Sequence, residues 1–250
     1  TDTFQMYEKD DLVDELLEDN SARRKRQKEL DIRVIVGNPP YSVGQGDANA
    51  NNANVRYPHL DARIRNTYGA SSDATNKNSL YDSYIRSLRW ASDRVGDAGV
   101  IGFVTNAGFV EASTADGLRK CLVEEFSSLY VFHLRGNART SGETRRKEKD
   151  NVFGVGSRAP VAISLLVKNP SFEHQGQIYF HDIGDYLNRE EKLEKVAAFA
   201  SISGIEQWQS ITPDEHGDWL KQRDLSFEHH IALGDKEDKG SLKLFDNYSN

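Results

Sequence analysis

A chain of 250 residues that is 37% hydrophobic and 28% charged can build one large domain or two small ones around a real core, which excludes fibrous, collagenous and disordered classes. Its net charge of -7 argues against a surface that is a nucleic-acid footprint throughout, yet leaves room for a local basic patch. No apolar segment approaches the roughly 20 residues that cross a bilayer, Thr1-Asp2-Thr3-Phe4 has no leader character, and the single Cys121 suits a reducing cytoplasm, so membrane and secretory readings fall away.

From Glu8 to Leu30 the helical spacing of Leu12, Val13, Leu16 and Leu17 gives way to a charged run from Arg23 to Lys28, which predicts one long helix or a broken pair. Ile32 to Val36 is rich in β-branched residues and is stopped by Gly37 and two prolines, a short strand with an abrupt end. Ser42 to Lys77 reads as a long loop with a short helix around Asp61 to Thr67, and loops of that length are usually functional. Leu80 to Val95 has the three-and-four spacing of an amphipathic helix, and Val100 to Val104 is the continuous apolar run of a strand covered on both faces. A helix from about Thr114 to Phe126, a strand over Leu129 to Leu134, a basic glycine-containing stretch over 135–156, and strands over 162–167 and 177–181 follow. The last elements are a helix from about Arg189 to Ala200 and a capping-box signature, Thr212-Pro213-Asp214-Glu215. Alternating strands and helices point to a doubly wound α/β sheet.

One motif carries sharp chemistry. Asn38-Pro39-Pro40-Tyr41 follows directly on an apolar strand, where ligands of open α/β sheets bind, and such a tetrapeptide arises by chance in about one chain in a hundred of this length. Two successive prolines make a stiff turn that presents a carbonyl with no N–H beside it. The Asn38 side chain adds a second acceptor and Tyr41 a flat face. Two acceptors and a ring suit the exocyclic amino group of a planar base, such as an adenine taken out of a duplex. The alternative is a rigid strand-ending turn with a packed tyrosine.

Val34 to Tyr41 resembles the catalytic motif of the adenine-N6 DNA methyltransferases of the gamma arrangement, as found in large restriction-modification enzymes that fuse a nuclease, a helicase-like motor and a methylase. The helix at Leu80, the turn and strand Gly99 to Asn106, Leu118-Arg119 and a closing pair of antiparallel strands fit the same pattern. The resemblance implies a Rossmann-like class-I methyltransferase sheet, S-adenosylmethionine as cofactor, double-stranded DNA as partner, and Asn38, Pro39, Pro40 and Tyr41 as catalytic residues. It places Phe153 of Asn151-Val152-Phe153-Gly154 against the flipped base, the alternative being an ordinary core phenylalanine. The stretch Asp218 to Asp224 resembles the linker into a target-recognition region. The implied organisation is a helical lead-in over 1–31, a catalytic subdomain over 32–182 and a helical extension over 183–250.

The glycine-rich cofactor loop of that family should precede the catalytic strand, yet residues 1–36 contain no glycine. The expectation is that the C-terminal half of the sheet is present, that the cofactor-binding half lies elsewhere in a larger parent chain, and that the chain alone is inactive. Asp2 is either the acidic partner of the cofactor adenine or an exposed terminus. Arg139, Arg145, Arg146 and Lys147 either neutralise DNA phosphates or belong to a solvated loop with interleaved carboxylates. His229-His230 and His181-Asp182 lack metal-ligand spacing, so no metal is expected. Two other functions stay open: a non-catalytic module of a helicase-like parent, and methylation of RNA adenine or a protein amide.

Overall fold

The computed structural model describes residues 3–4, 18–40, 56–223, 226, 229–231, 240 and 242. Helix α1 (Glu18–Glu29) leads into strand β1 (Val34–Gly37). Helix α2 (Pro58–Ile64) runs on as a π-helical turn over Arg65–Gly69, and α3 (Ser83–Arg94), β2 (Gly99–Asn106), the single turn α4 (Gly108–Glu111) and α5 (Asp116–Glu125) follow. Then come β3 (Ser128–Arg135), α6 (Gly142–Glu148), β4 (Val161–Lys168), β5 (Gln177–Asp182), α7 (Arg189–Phe199) and β6 (Gln209–Ile211).

The strands form one sheet in the order β1-β2-β4-β3-β5-β6. β2 runs parallel to β1 and β5 parallel to β3, while β4 lies antiparallel between β2 and β3. The mixed α/β sheet fits the partial Rossmann-like methyltransferase sheet that the resemblance implies. Its direction places the carboxyl ends of β1, β2, β3 and β5 on one edge, together with the amino end of β4.

One face of the sheet is the main core. Ile101, Phe103, Leu129, Val131, Leu166, Ile178 and Phe180 pack against Tyr84, Ile85 and Leu88 of α3 and Leu118 and Leu122 of α5. Each such side chain contributes roughly 1.5–3 kcal/mol by leaving water. Among the described residues, the other face is covered at one end, where Val196 and Phe199 of α7 and Trp208 pack on Phe132, Leu134 and Val161. At the far end, Val34 and Val36 of β1 are 63% and 79% exposed.

Several elements depart from the sequence reading. The stretch 135–156, expected as a loop, contains α6. No residue of α6 is buried, so it shows no apolar stripe, and it is held instead by Glu148, whose carboxylate accepts from the Asn137 N–H at 2.8 Å. The helix expected at Thr212 does not form. The Asp214 carboxylate accepts instead from the N–H groups of His216 (3.0 Å) and Asp218 (2.8 Å), folding the segment into a turn at Gly217. The working capping box is at α7, where Asn188 and Glu191 satisfy each other's backbone N–H groups. The apolar residues expected to begin the first helix, Leu12 to Leu17, lie outside the described residues.

Arg119, fully buried in α5, ties the segment after β6 to the sheet. Its guanidinium donates to the carbonyls of Gly217 (2.8 Å), Phe109 (2.9 Å) and Ala112 (2.7 Å) and to the Asp218 carboxylate, which also accepts from Arg223 at 2.9 Å. Trp219 then meets Phe109 edge-on, with ring centres 6.2 Å apart.

Candidate functional site

β1 stops because Pro39 and Pro40 have no N–H to donate. Pro39 is buried, whereas Asn38 and Pro40 are exposed at the carboxyl end of the strand. The three residues line a cleft of about 560 Å³. Phe4, Tyr57, Trp90 and Phe103 form its aromatic walls.

Tyr57 is held from three sides. Its N–H donates to the Asp61 carboxylate at 3.3 Å, Phe4 meets its ring edge-on at 5.1 Å, and the Arg86 guanidinium lies 5.4 Å from the ring centre. Arg86 is itself fixed by a two-pronged ion pair with Asp61, at 2.8 and 3.0 Å. Among the described residues, no carboxylate, imidazole or amine lines this cleft. It offers oxygen acceptors and rings, which suits orienting a neutral planar amine better than acid–base hydrolysis.

Phe153 stands in the long connection between β3 and β4 and is 46% exposed. Neighbouring strands lie about 4.8 Å apart, and β4 is the second neighbour of β1, so this connection rises from the same sheet edge about 10 Å from the strand that carries Asn38. Phe153 is held by Asn151, a buried residue that the sequence marked only as the start of the stretch around Phe153. Asn151 donates to the carbonyls of Gly136 (3.1 Å) and Ala159 (2.8 Å), closing the neck of the connection, and its side-chain oxygen accepts from the Phe153 N–H at 2.9 Å. Gly136 has φ +87° and a Cβ there would stand 2.8 Å from the Asn151 Cα, so glycine is required at the neck.

Lys192 of α7, fully buried, donates to the carbonyls of Glu148 (2.9 Å) and Asp150 (2.6 Å) just ahead of Phe153. Burial pulls its ammonium down to about 8, against the opposing pull of Glu148. Below the neck, Asp182 at the end of β5 resists its own burial through hydrogen bonds with His133 and Arg135 and the Gly184 N–H, and is held down at about 2.

The basic residues singled out from the sequence divide among themselves. Arg139 and Arg146 are exposed, and Arg146 is 3.4 Å from Glu143. Lys147 pairs with Asp185 at 3.4 Å, and the Arg145 guanidinium turns back onto the Lys149 carbonyl. Asp2 and Tyr41 lie outside the described residues, although Thr3 and Phe4 line the motif cleft. A separate cleft of about 540 Å³ at the opposite end of the sheet is lined by Arg63, Arg89, Asp93 and Glu125, which pair with one another as a structural charge network.

No family model and no curated protein matches this chain. Solved structures do. The chain aligns with a nuclease-deletion mutant of the Type ISP restriction-modification enzyme LlaGI in complex with a DNA substrate mimic, with a TM-score of 0.86 and 48% identity over 96% of this chain and 19% of that one. It aligns with the ATP-dependent Type ISP restriction-modification enzyme LlaBIII bound to DNA at 0.87 and 41% identity, over 96% of this chain and 16% of that one. A DrdV–DNA complex gives 0.75 and 39%, over 85% of this chain and 20% of that one. The chain is therefore similar, in sequence and in fold, to one segment of Type ISP restriction-modification enzymes, and it spans 16 to 20% of the length of these three chains.

Proposed function

We propose that this chain forms the base-accepting side of an S-adenosylmethionine-dependent methyltransferase acting on adenine N6 in DNA, within a larger restriction-modification protein. The observation that carries the reading is the Asn38-Pro39-Pro40 turn, set at the carboxyl end of β1 in an aromatic cleft with no titratable carboxylate, imidazole or amine among its described lining residues. The Asn38 side-chain oxygen and the Pro39 carbonyl accept the two amino hydrogens and fix the nitrogen's orientation. That draws its lone pair out of conjugation with the ring, an interaction worth most in the transition state. Tyr41 and Phe153 are the proposed stacking faces for the extruded base.

Phe4, Tyr57 and Trp90 are the residues of this chain that would border an adenosyl group, the rest of the cofactor site being expected in the larger parent chain. When bound, S-adenosylmethionine supplies an electrophilic methyl group. The similarity to DNA-bound restriction-modification enzymes supports the choice of DNA.

The test is a methyl-transfer assay in the full-length parent protein with DNA, RNA and a glutamine-containing peptide as acceptors. DNA adenine should be the methylated product, and Asn38→Ala should lower turnover about a hundredfold or more without altering the melting curve. Near-normal turnover in that variant sinks the mechanism, and preferential labelling of RNA or peptide replaces the substrate.

A further inference from the structure

A second cleft, of about 630 Å³, opens beside Phe153 between the β3–β4 connection and the start of α7. Arg145, Lys149, Arg158 and Arg189 line it, against Asp150 and Glu190. The six charges come from three separate pieces of chain and leave a surplus of two positive charges, in a molecule whose net charge is -7. The surplus is therefore local and opposed to the charge of the whole.

The four cations differ in their freedom. Arg189 donates to the Val152 carbonyl at 3.0 Å and lies 3.5 Å from Glu190, while Arg145 turns to the Lys149 carbonyl. Both are thus held in place by backbone on the cleft wall. Arg158 and Lys149 are exposed, and among the described residues neither side chain has an ion pair. The turn Gly154–Gly156 closes one side, so backbone can approach a ligand closely there. Lys192 and Asn151 hold this wall from behind, so the cations are presented on a built surface rather than on a floppy loop.

We infer that this cleft binds a phosphodiester of the DNA strand whose base enters the motif cleft, with Arg158 and Lys149 as the free contacts and Arg145 and Arg189 as the fixed ones. The inference rests on reading the motif cleft as a base site, and it places the strand's backbone next to Phe153. Arg139 and Arg146, chosen from sequence for the same role, lie outside the lining of this cleft, and Lys147 is already paired. A phosphate contact strengthens binding without regard to sequence and releases counterions, so it has a signature of its own.

The experiment measures binding of a labelled random-sequence DNA duplex by fluorescence anisotropy across a salt series, at protein concentrations below self-association. The proteins compared are the full chain, Arg158→Gln, Lys149→Gln, the double variant, and Arg65→Gln on the α2 side as a charge control. Each cleft variant should flatten the slope of log affinity against log salt by about one, and the double variant by about two, with Arg65→Gln unchanged. Slopes equal to that of the unaltered chain, or an equal flattening in Arg65→Gln, overturn the inference. Displacement of the duplex by inorganic phosphate at matched ionic strength, lost in Arg158→Gln, makes this a site for free phosphate and overturns it as well.

Asn38→Ala separates the two claims. It should leave the salt slope intact while removing methyl transfer in the parent protein. If turnover survives in Asn38→Ala while the cleft variants flatten the slope, the base-site reading fails and the phosphate contact stands.

Discussion

Asp182 shows how much one side chain at the sheet edge can carry. In the unfolded chain it titrates as an ordinary carboxylate, near 3.8, and in the folded protein near 2, because His133, Arg135 and the Gly184 N–H outweigh the cost of its burial. A depressed acid stabilises the fold above its unfolded value and loses that contribution as pH falls through its folded one. With solvent screening of its exposed side allowed for, this depression is worth roughly 2 kcal/mol, present at pH 5 and largely gone near pH 2. Denaturant midpoints for Asp182→Asn should therefore lie below the unaltered protein at pH 5 and converge with it near pH 2. Parallel curves across that range would show that the carboxylate is not the acid-sensitive group. At this scale the motif was legible because two adjacent prolines after a β-branched run can mean little else than a strand-ending turn. Asn151 and Arg119 were named only within motifs of the resemblance and their roles were not legible, because each bonds to carbonyls 7 to 98 positions away in sequence, and no local pattern marks a residue for that.

Among the elements, α7 repays comparison with the helix that did not form. Asn188 to Glu191 and Thr212 to Glu215 carry the same kind of capping signature, but the first opens a glycine-free stretch whose Val196 and Phe199 pack on the sheet. After Thr212 the next glycine, Gly217, stands at φ +79° and Asp214 spends its carboxylate on N–H groups of a turn. α7 in turn uses Lys192 to hold α6 and the approach to Phe153. Lysine at that position reads from sequence as a solvated face, so the fixed Phe153 connection was hidden. Because burial lowers Lys192 from 10.5 to about 8, the folded state binds its proton less tightly than the unfolded chain does. Stability should rise with pH between about 8 and 10.5, and Lys192→Met should abolish that rise. The same variant should speed amide exchange over residues 148–153 relative to the rest of the sheet. Unchanged exchange there would mean that the connection is held by Asn151 alone.

For the whole molecule the decisive feature is that the sheet's two edges are not alike. The apolar runs over 100–104 and 162–167 declared buried strands, but a run of that kind reads the same in either direction. The resemblance implied a closing pair of antiparallel strands, but neither it nor periodicity placed β4 between β2 and β3. The sheet ends in a three-residue strand at β6, too short to template another chain, and at the other side in β1, which pairs only with β2 among the described residues.

That β1 edge carries the last prediction. Val34 and Val36 are open on its flank, with Leu30 56% exposed just before it, so a strand from a second molecule would find both unpaired backbone groups and apolar side chains to cover. The net charge of -7 opposes such contact only beyond close range, and at 0.15 M salt it is screened within about 8 Å. The 250-residue chain on its own should therefore associate as its concentration rises, and more strongly in higher salt. Val34→Lys should suppress this, since it places a charge on the exposed side of the edge, outside the lining of the motif cleft, while the pairing of Val34 with Val100 through the backbone survives. Light scattering across a concentration and salt series reads the outcome directly. A chain that stays monomeric throughout, or a Val34→Lys variant that associates as strongly as the unaltered chain, would show that β1 is covered by a segment outside the described residues or that the contact lies elsewhere.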